Sequence, residues 1–196
     1  MRHLSSGDIL RAERASGSPL ARELARYMGA GELVPDKIVV DVMAKVLTAG
    51  SPADGILLDG FPRTVAQAQA LDAQLVEAGQ PLDAVVVIDV ADEDIVARIT
   101  GRRSCGKCGR IYHVKFLPPR QDGLCDDCGE RLVQRDDDTE AVVRQRLEAY
   151  HRQTRPVIAY YSGRPDLRVI RIDGSGSPDQ VAASLIEAVE GSGVEG

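Results

Sequence analysis

Short apolar runs alternate along this chain with stretches of helical spacing. Ile56-Leu57-Leu58, Ala84-Val85-Val86-Val87-Ile88 and Val169-Ile170-Arg171-Ile172 read as strands, the first as a buried one. Helical patterns occupy 64–79, 92–101, 139–162 and 178–190. That alternation predicts an α/β fold, a parallel sheet flanked by crossover helices. Upstream, Ser5-Ser6-Gly7-Asp8 predicts a strand end running into a capped helix, with Ser5 and Asp8 spaced as a variant capping box. Ser18-Pro19 starts a second helix, with Leu20, Leu24 and Met28 on one face and a stop near Gly29 and Gly31. Pro35-Asp36 opens a third, carrying Ile38, Val39, Met43, Val46 and Leu47 and stopping at Gly50. Pro156 is expected to kink or break the helix over 139–162, and 191–196 to be a flexible tail.

With 196 residues, 43% of them hydrophobic, the chain has room for one globular domain and an insert. Two Phe, five Tyr and no Trp leave the core to Leu, Ile, Val and Ala, as is common around parallel sheets. The formal charge of −6 argues against a broad basic footprint for nucleic acid or an anionic membrane. Met1-Arg2-His3-Leu4-Ser5-Ser6 has no apolar signal region, and no run approaches the ~18 apolar residues of a membrane span, so a cytoplasmic protein is expected.

All four cysteines fall in one pattern: Cys105-x₂-Cys108, sixteen intervening residues, then Cys125-x₂-Cys128. Two Cys-x₂-Cys pairs suit one tetrahedral structural zinc, and the missing secretion signal makes a disulfide framework the weaker alternative. The insert has few apolar residues, so metal binding, worth on the order of 10–16 kcal/mol in small zinc modules, is expected to supply its folding energy.

Leu58-Asp59-Gly60-Phe61-Pro62-Arg63 places Asp59 and Arg63 at the C-terminal end of a strand, where open parallel sheets bind ligands. Arg98 and Arg102, four apart on a predicted helix, share a face just before the cysteine insert. Arg135 follows the insert and Arg146 lies on the next helix. Singly, each reads as a solvated charge. Clustered at the hinges of an insert, they suit phosphoryl transfer, in which arginines clamp the moving group's oxygens and Mg²⁺ neutralises them. Asp59 would hold that Mg²⁺ through water, and the insert would close as a lid against competing water.

From Ser5 to about Ala188 the chain resembles the bacterial adenylate kinases with a long, zinc-bearing lid, its motifs standing in the family's order and spacing. The resemblance implies the P-loop nucleoside monophosphate kinase fold, the reaction ATP + AMP ⇌ 2 ADP, Mg²⁺ carried by ATP, and a monomer. It implies an AMP site at Ser6, Arg11, Glu32, Leu33, Val34, Gly60, Phe61, Pro62, Arg63 and Gln67, with Ser6 where the family usually has Thr. Arg102, Ile111 and Tyr112 resemble lid contacts to ATP, Arg98 another ATP-side arginine, and the Gly176 backbone an adenine contact. Arg135 and Arg146 resemble arginines that reach over both nucleotides, and Cys105, Cys108, Cys125 and Cys128 the zinc ligands. Residues 5–34 would be the AMP-binding subdomain and 102–138 the lid.

The family opens with a strand, a Gly-x-x-x-x-Gly-Lys-[Ser/Thr]-like loop and a helix. In this sequence the one Gly-Lys pair, Gly106-Lys107, lies inside a cysteine knuckle. The expectation is therefore that a βα unit of roughly 25–30 residues is missing ahead of Met1, through truncation or a late start. A gap should then separate two pairs of strands, and these residues alone should not catalyse. The alternatives are a non-catalytic AMP-binding remnant and a zinc-ribbon nucleic-acid binder, the latter disfavoured by the acidic balance.

Overall fold

A computed structural model describes residues 1–30, 32–48 and 55–191. The expected helix stops at Gly31 and Gly50, and the expected tail beyond Gly191, lie outside the described residues. The chain opens on strand β1 (Arg2–Ser5), which runs into α1 (Ser6–Ala15). Ser5 Oγ accepts from the Asp8 backbone N–H at 3.4 Å, as its spacing predicts. The reciprocal half of a capping box is not made, because Asp8 Oδ1 instead accepts from Arg11 Nη2 at 2.5 Å. Helices α2 (Ala21–Gly29) and α3 (Asp36–Thr48) follow, then β2 (Ile56–Asp59) and α4 (Val65–Glu77), which Thr64 caps. Leu10, Leu24, Val34, Val39, Met43, Phe61 and Leu71 from this half form one buried cluster.

Strand β3 (Ala84–Asp89) leads to α5 (Asp92–Thr100), and β7 (Arg168–Asp173) to α8 (Pro178–Glu190), which a Ser177/Gln180 capping box opens. Strand β1 pairs parallel with β2, Leu4 opposite Leu58, and β3 pairs parallel with β7, Val86 opposite Ile170. Among the described residues these are two separate two-stranded sheets. The α/β class is as predicted, and so is a division of the strands into two pairs. The buried-strand expectation for Ile56-Leu57-Leu58 is corrected: each pair has an unpaired edge and incomplete cover, leaving Leu57 46% and Ile88 49% exposed.

The insert is an antiparallel three-stranded sheet of β4 (Arg102–Cys105), β5 (Ile111–His113) and β6 (Leu132–Val133), with β4 in the middle. Its first strand corrects the reading of Arg98 and Arg102 as one helical face. Helix α5 stops at Gly101, whose N–H donates to Ala97 O at 3.2 Å and whose carbonyl accepts from Val114 N at 3.0 Å. Arg102 is thereby turned into β4 opposite His113, and a Cβ on Gly101 would collide with the His113 ring.

The helical pattern over 139–162 resolves into α6 (Glu140–Ala149), a π-helical turn (Tyr150–Thr154) and α7 (Arg155–Ser162). Pro156 has no N–H to continue an α-helical ladder. The chain widens instead, with Arg155 N donating to Tyr150 O. Helices α4 and α7 close over Ala68, Val157, Tyr161 and Leu167, a second buried cluster beside β3 and β7. No described helix is long and apolar enough to cross a membrane.

Candidate active site

A cavity of about 580 Å³ lies at the C-terminal ends of the strands, within the usual size of small-ligand pockets. The first two turns of α1 contribute Ser6 and Arg11, the loop after α2 gives Glu32, Leu33 and Val34, and the turn after β2 gives Gly60, Pro62 and Arg63. Gln67 enters from α4 and Arg146 from α6. Ten of the twelve positions assigned to AMP thus line one cavity. The other two do not line it: the Phe61 side chain is buried in the core beside α3, and Arg135 stands at the base of the cysteine insert, donating to Ser104 Oγ at 3.1 Å.

The turn after β2 is shaped by its own polar groups. Gly60 adopts φ +68°, and a Cβ there would stand 2.8 Å from Arg63 Nη2 and 3.2 Å from Ser6 Oγ. Its carbonyl accepts from Ser6 Oγ and from Arg63 Nε, each at 2.7 Å. Arg63 is held further by its own backbone: the N–H donates to Gln67 Oε1 at 2.8 Å, and the carbonyl accepts from Thr154 Oγ1 at 2.8 Å. Thr154 sits on the π turn and carried no local signal for this contact.

Three arginines, Arg11, Arg63 and Arg146, line one end of this cavity. Burial first, then the charge of Arg146, pushes the Arg63 pKa below the ordinary arginine value, with Arg11 adding to it and Asp59 opposing. Burial likewise lowers Arg135, aided by Arg102 and Arg11. Arg146 Nη1 is buried with no hydrogen-bond acceptor among the described residues, its nearest carboxylate oxygen being Asp137 Oδ2 at 3.8 Å. A buried donor without an acceptor is costly, and an anion entering the cavity would supply one. The far end of the cavity is more apolar, with Ile88, Ile95, Ile99, Val143 and Leu147, and there His151 Nε2 meets Asp92 Oδ2 at 2.8 Å and Arg171 pairs with Asp89 at 3.0 Å.

The remaining predicted residues stand outside the cavity lining. Arg102 makes a two-pronged pair with the fully buried Asp138, Nε to Oδ2 at 2.9 Å and Nη2 to Oδ1 at 2.5 Å. Arg98 donates to the carbonyls of Gly174, Ser175 and Gly176, at 2.7, 2.7 and 3.3 Å, and so fixes that loop. Asp59 is exposed and faces His3 Nε2 at 3.3 Å. Ile111 is partly exposed on β5, whereas Tyr112 is buried within the cysteine cluster. Asp138 and Thr154 were not singled out from the sequence, since their partners lie 36 and 91 residues away.

The four cysteine sulfurs lie within 4.8 Å of one another, as a metal such as zinc requires. Contacts of 3.4 Å for Cys105–Cys128, 3.5 Å for Cys108–Cys125 and 3.7 Å for Cys108–Cys128 approach the ~3.8 Å edge of a tetrahedron with roughly 2.3 Å Zn–S bonds. Tyr112 Oη, 3.5 Å from Cys125 Sγ, is the main cause drawing that thiol's pKa down to about 6, toward the thiolate that binds metals.

An arginine-lined cavity beside a four-sulfur insert matches the family that the motifs resemble. The family model for adenylate kinase matches residues 1–165. The chain belongs to the adenylate kinase family. An adenylate kinase from Thermodesulfovibrio yellowstonii is 46% identical over 187 residues, covering 95% of this chain and 86% of the relative. One from Methanococcoides burtonii is 46% identical over 188 residues, covering 96% and 86%, and one from Syntrophobacter fumaroxidans 48% identical over 178 residues, covering 91% and 83%. Membership in the adenylate kinase family makes this a phosphotransferase fold with nucleotide substrates, built as helices around parallel strands.

Proposed function

We propose that the cavity binds AMP and that the chain serves the reversible transfer ATP + AMP ⇌ 2 ADP, in nucleotide salvage and energy homeostasis. The observation that carries this reading is the buried, acceptor-less Nη1 of Arg146 among Arg11 and Arg63. A phosphate monoester brings the acceptor oxygens that this set lacks. Ser6 and Gly60 form the floor of the phosphate end, Glu32, Leu33, Val34 and Gln67 meet the nucleoside, and Phe61 and Pro62 shape the loop between them. Arg135 closes from the lid. On the ATP side Arg102, Ile111 and Tyr112 act from the lid, and Arg98 acts through the Gly176 loop it holds. Asp59, exposed at the end of β2, would hold ATP-bound Mg²⁺ through water. A zinc ion on Cys105, Cys108, Cys125 and Cys128 would fold the lid rather than react. Residues 5–34 as the AMP subdomain, 102–138 as the lid, a monomer and a cytoplasmic location belong to the same proposal.

A second reading, AMP binding without transfer, is favoured by two observations. Strand pairs β1–β2 and β3–β7 are not hydrogen-bonded into one sheet among the described residues. The 196 residues also contain no Gly-x-x-x-x-Gly-Lys-[Ser/Thr] run to cradle the phosphates of ATP. Calorimetry with AMP and with Mg-ATP, joined to an ADP-formation assay, separates the readings. Binding of both nucleotides with turnover supports transfer, AMP binding alone supports the second reading, and binding of neither refutes both.

A further inference from the structure

Gln67 is 1% exposed in the cavity wall, and its amide is held at both ends. Oε1 accepts from the Arg63 backbone N–H at 2.8 Å, and Nε2 donates to Asp36 Oδ1 at 2.8 Å. A primary amide has two N–H donors and two acceptor lone pairs, so one of each remains for a ligand. Which stands where depends on the amide's orientation. Rotated by 180°, the amide would set its oxygen against the Asp36 carboxylate and its NH₂ against the Arg63 N–H, acceptor on acceptor and donor on donor. Asp36 opens α3, and the same Oδ1 accepts from Thr64 Oγ1 at 2.9 Å, so the carboxylate itself is fixed.

We propose that Asp36 is a positioning residue that sets base selectivity, because together with the Arg63 N–H it locks the Gln67 amide in one of its two orientations. The inference rests on the AMP reading above and deepens it. A 6-aminopurine offers an acceptor at N1 beside a donor at N6, whereas a 6-oxopurine offers a donor at N1 beside an acceptor at O6. An amide free to rotate can answer either pattern, and a locked one answers a single pattern, leaving buried polar groups unpaired with the other base. A purely structural Asp36 would only tie α3 to the start of α4, and its loss would weaken every nucleotide alike.

The test is equilibrium binding of AMP and of inosine monophosphate to the full chain, unsubstituted and as Asp36→Ala, Asp36→Ser and Asp36→Asn. The unsubstituted chain should prefer AMP by tenfold or more, about the discrimination one mismatched polar pair supports. Asp36→Ala should lower that ratio severalfold without abolishing it, because the Arg63 N–H still opposes the rotated amide. Asp36→Ser, which keeps a polar helix start but is too short to reach Gln67, should do the same and stands in if the alanine variant fails to fold. Asp36→Asn retains an acceptor oxygen and should hold the ratio within about twofold. Equal weakening of both nucleotides in the alanine or serine variant, with the ratio unchanged, would overturn the proposal. An unsubstituted chain that binds AMP without discrimination also overturns it but spares the phosphate site. One that binds no AMP overturns the site reading, and this inference with it.

Discussion

Across α1 to α4 the body buries Leu10, Leu24, Val34, Val39, Met43, Phe61 and Leu71 in one cluster, whereas the lid gathers Cys105, Tyr112 and Cys125 and leaves Val114, Phe116 and Leu117 exposed. Burying a large side chain contributes about 1.5–3 kcal/mol, and ordering each residue costs about 1–2 kcal/mol. The body has apolar area to set against that cost. The insert's three buried apolar side chains fall far short, and the four sulfurs within 4.8 Å of one another could hold a metal that makes up the difference. Two folding regimes are expected in one chain, hydrophobic for the body and, with a metal on the four cysteines, metal-dependent for the insert.

The sharpest way to break this comparison is to remove the metal. A strong chelator should abolish protection of the β4 and β5 amides in hydrogen exchange while α1 to α4 stay protected, and loss of both regions in one step would contradict it. Next in size is Leu24→Ala, at a fully buried site, which should cost about 2–5 kcal/mol in denaturant unfolding of the body and leave zinc affinity unchanged. Asp138→Ala should cost about 2 kcal/mol at the lid base, less than a fully buried pair because the Arg102 side chain is 26% exposed. That loss should appear in the thermal unfolding of the metal-loaded chain and not in the chelated one, where the lid is already unfolded.

The smallest effect concerns Asp8. Its carboxyl is held below the usual carboxylate range, chiefly by its hydrogen bond to Arg11 and also by the charges of Arg11 and Arg135. A group whose folded pKa is lowered contributes fully above its unfolded value, near 3.8 here, and the contribution is lost as pH falls through the folded value. Asp8→Asn should therefore lower the melting temperature slightly at pH 7, as exposed pairs do, with a gap that shrinks as pH falls below 3.8 and on through the lowered folded value. A gap that stays constant with pH would remove Asp8 from the electrostatics of the site.

Local pattern made part of this architecture legible. Period-2 and period-3.6 spacing located β3, β7 and α2 to α5, and the paired Cys-x₂-Cys spacing located the sulfur cluster, because each signal lies within a few residues. What stayed hidden depends on distant partners or on a single stop. Gly101 ends α5 and sends Arg102 into a strand, so four-residue spacing misassigned Arg98 and Arg102 to one face. Asp36 and Gln67 meet across 31 residues and Arg102 and Asp138 across 36, and no helical or strand period reports such contacts. The apolar run Ile56-Leu57-Leu58 looked buried because composition records what can be covered, not what covers it.

If the arginine cavity is built for a nucleoside monophosphate, AMP and adenosine should bind it very differently. Calorimetry on the unsubstituted chain should find AMP bound at least 100-fold more tightly than adenosine, equivalent to ~2.7 kcal/mol. Arg146→Met should remove most of that difference while leaving adenosine binding unchanged. Equal affinity for AMP and adenosine in the unsubstituted chain would contradict the account, since the acceptor-less Nη1 of Arg146 would then have no phosphate to meet.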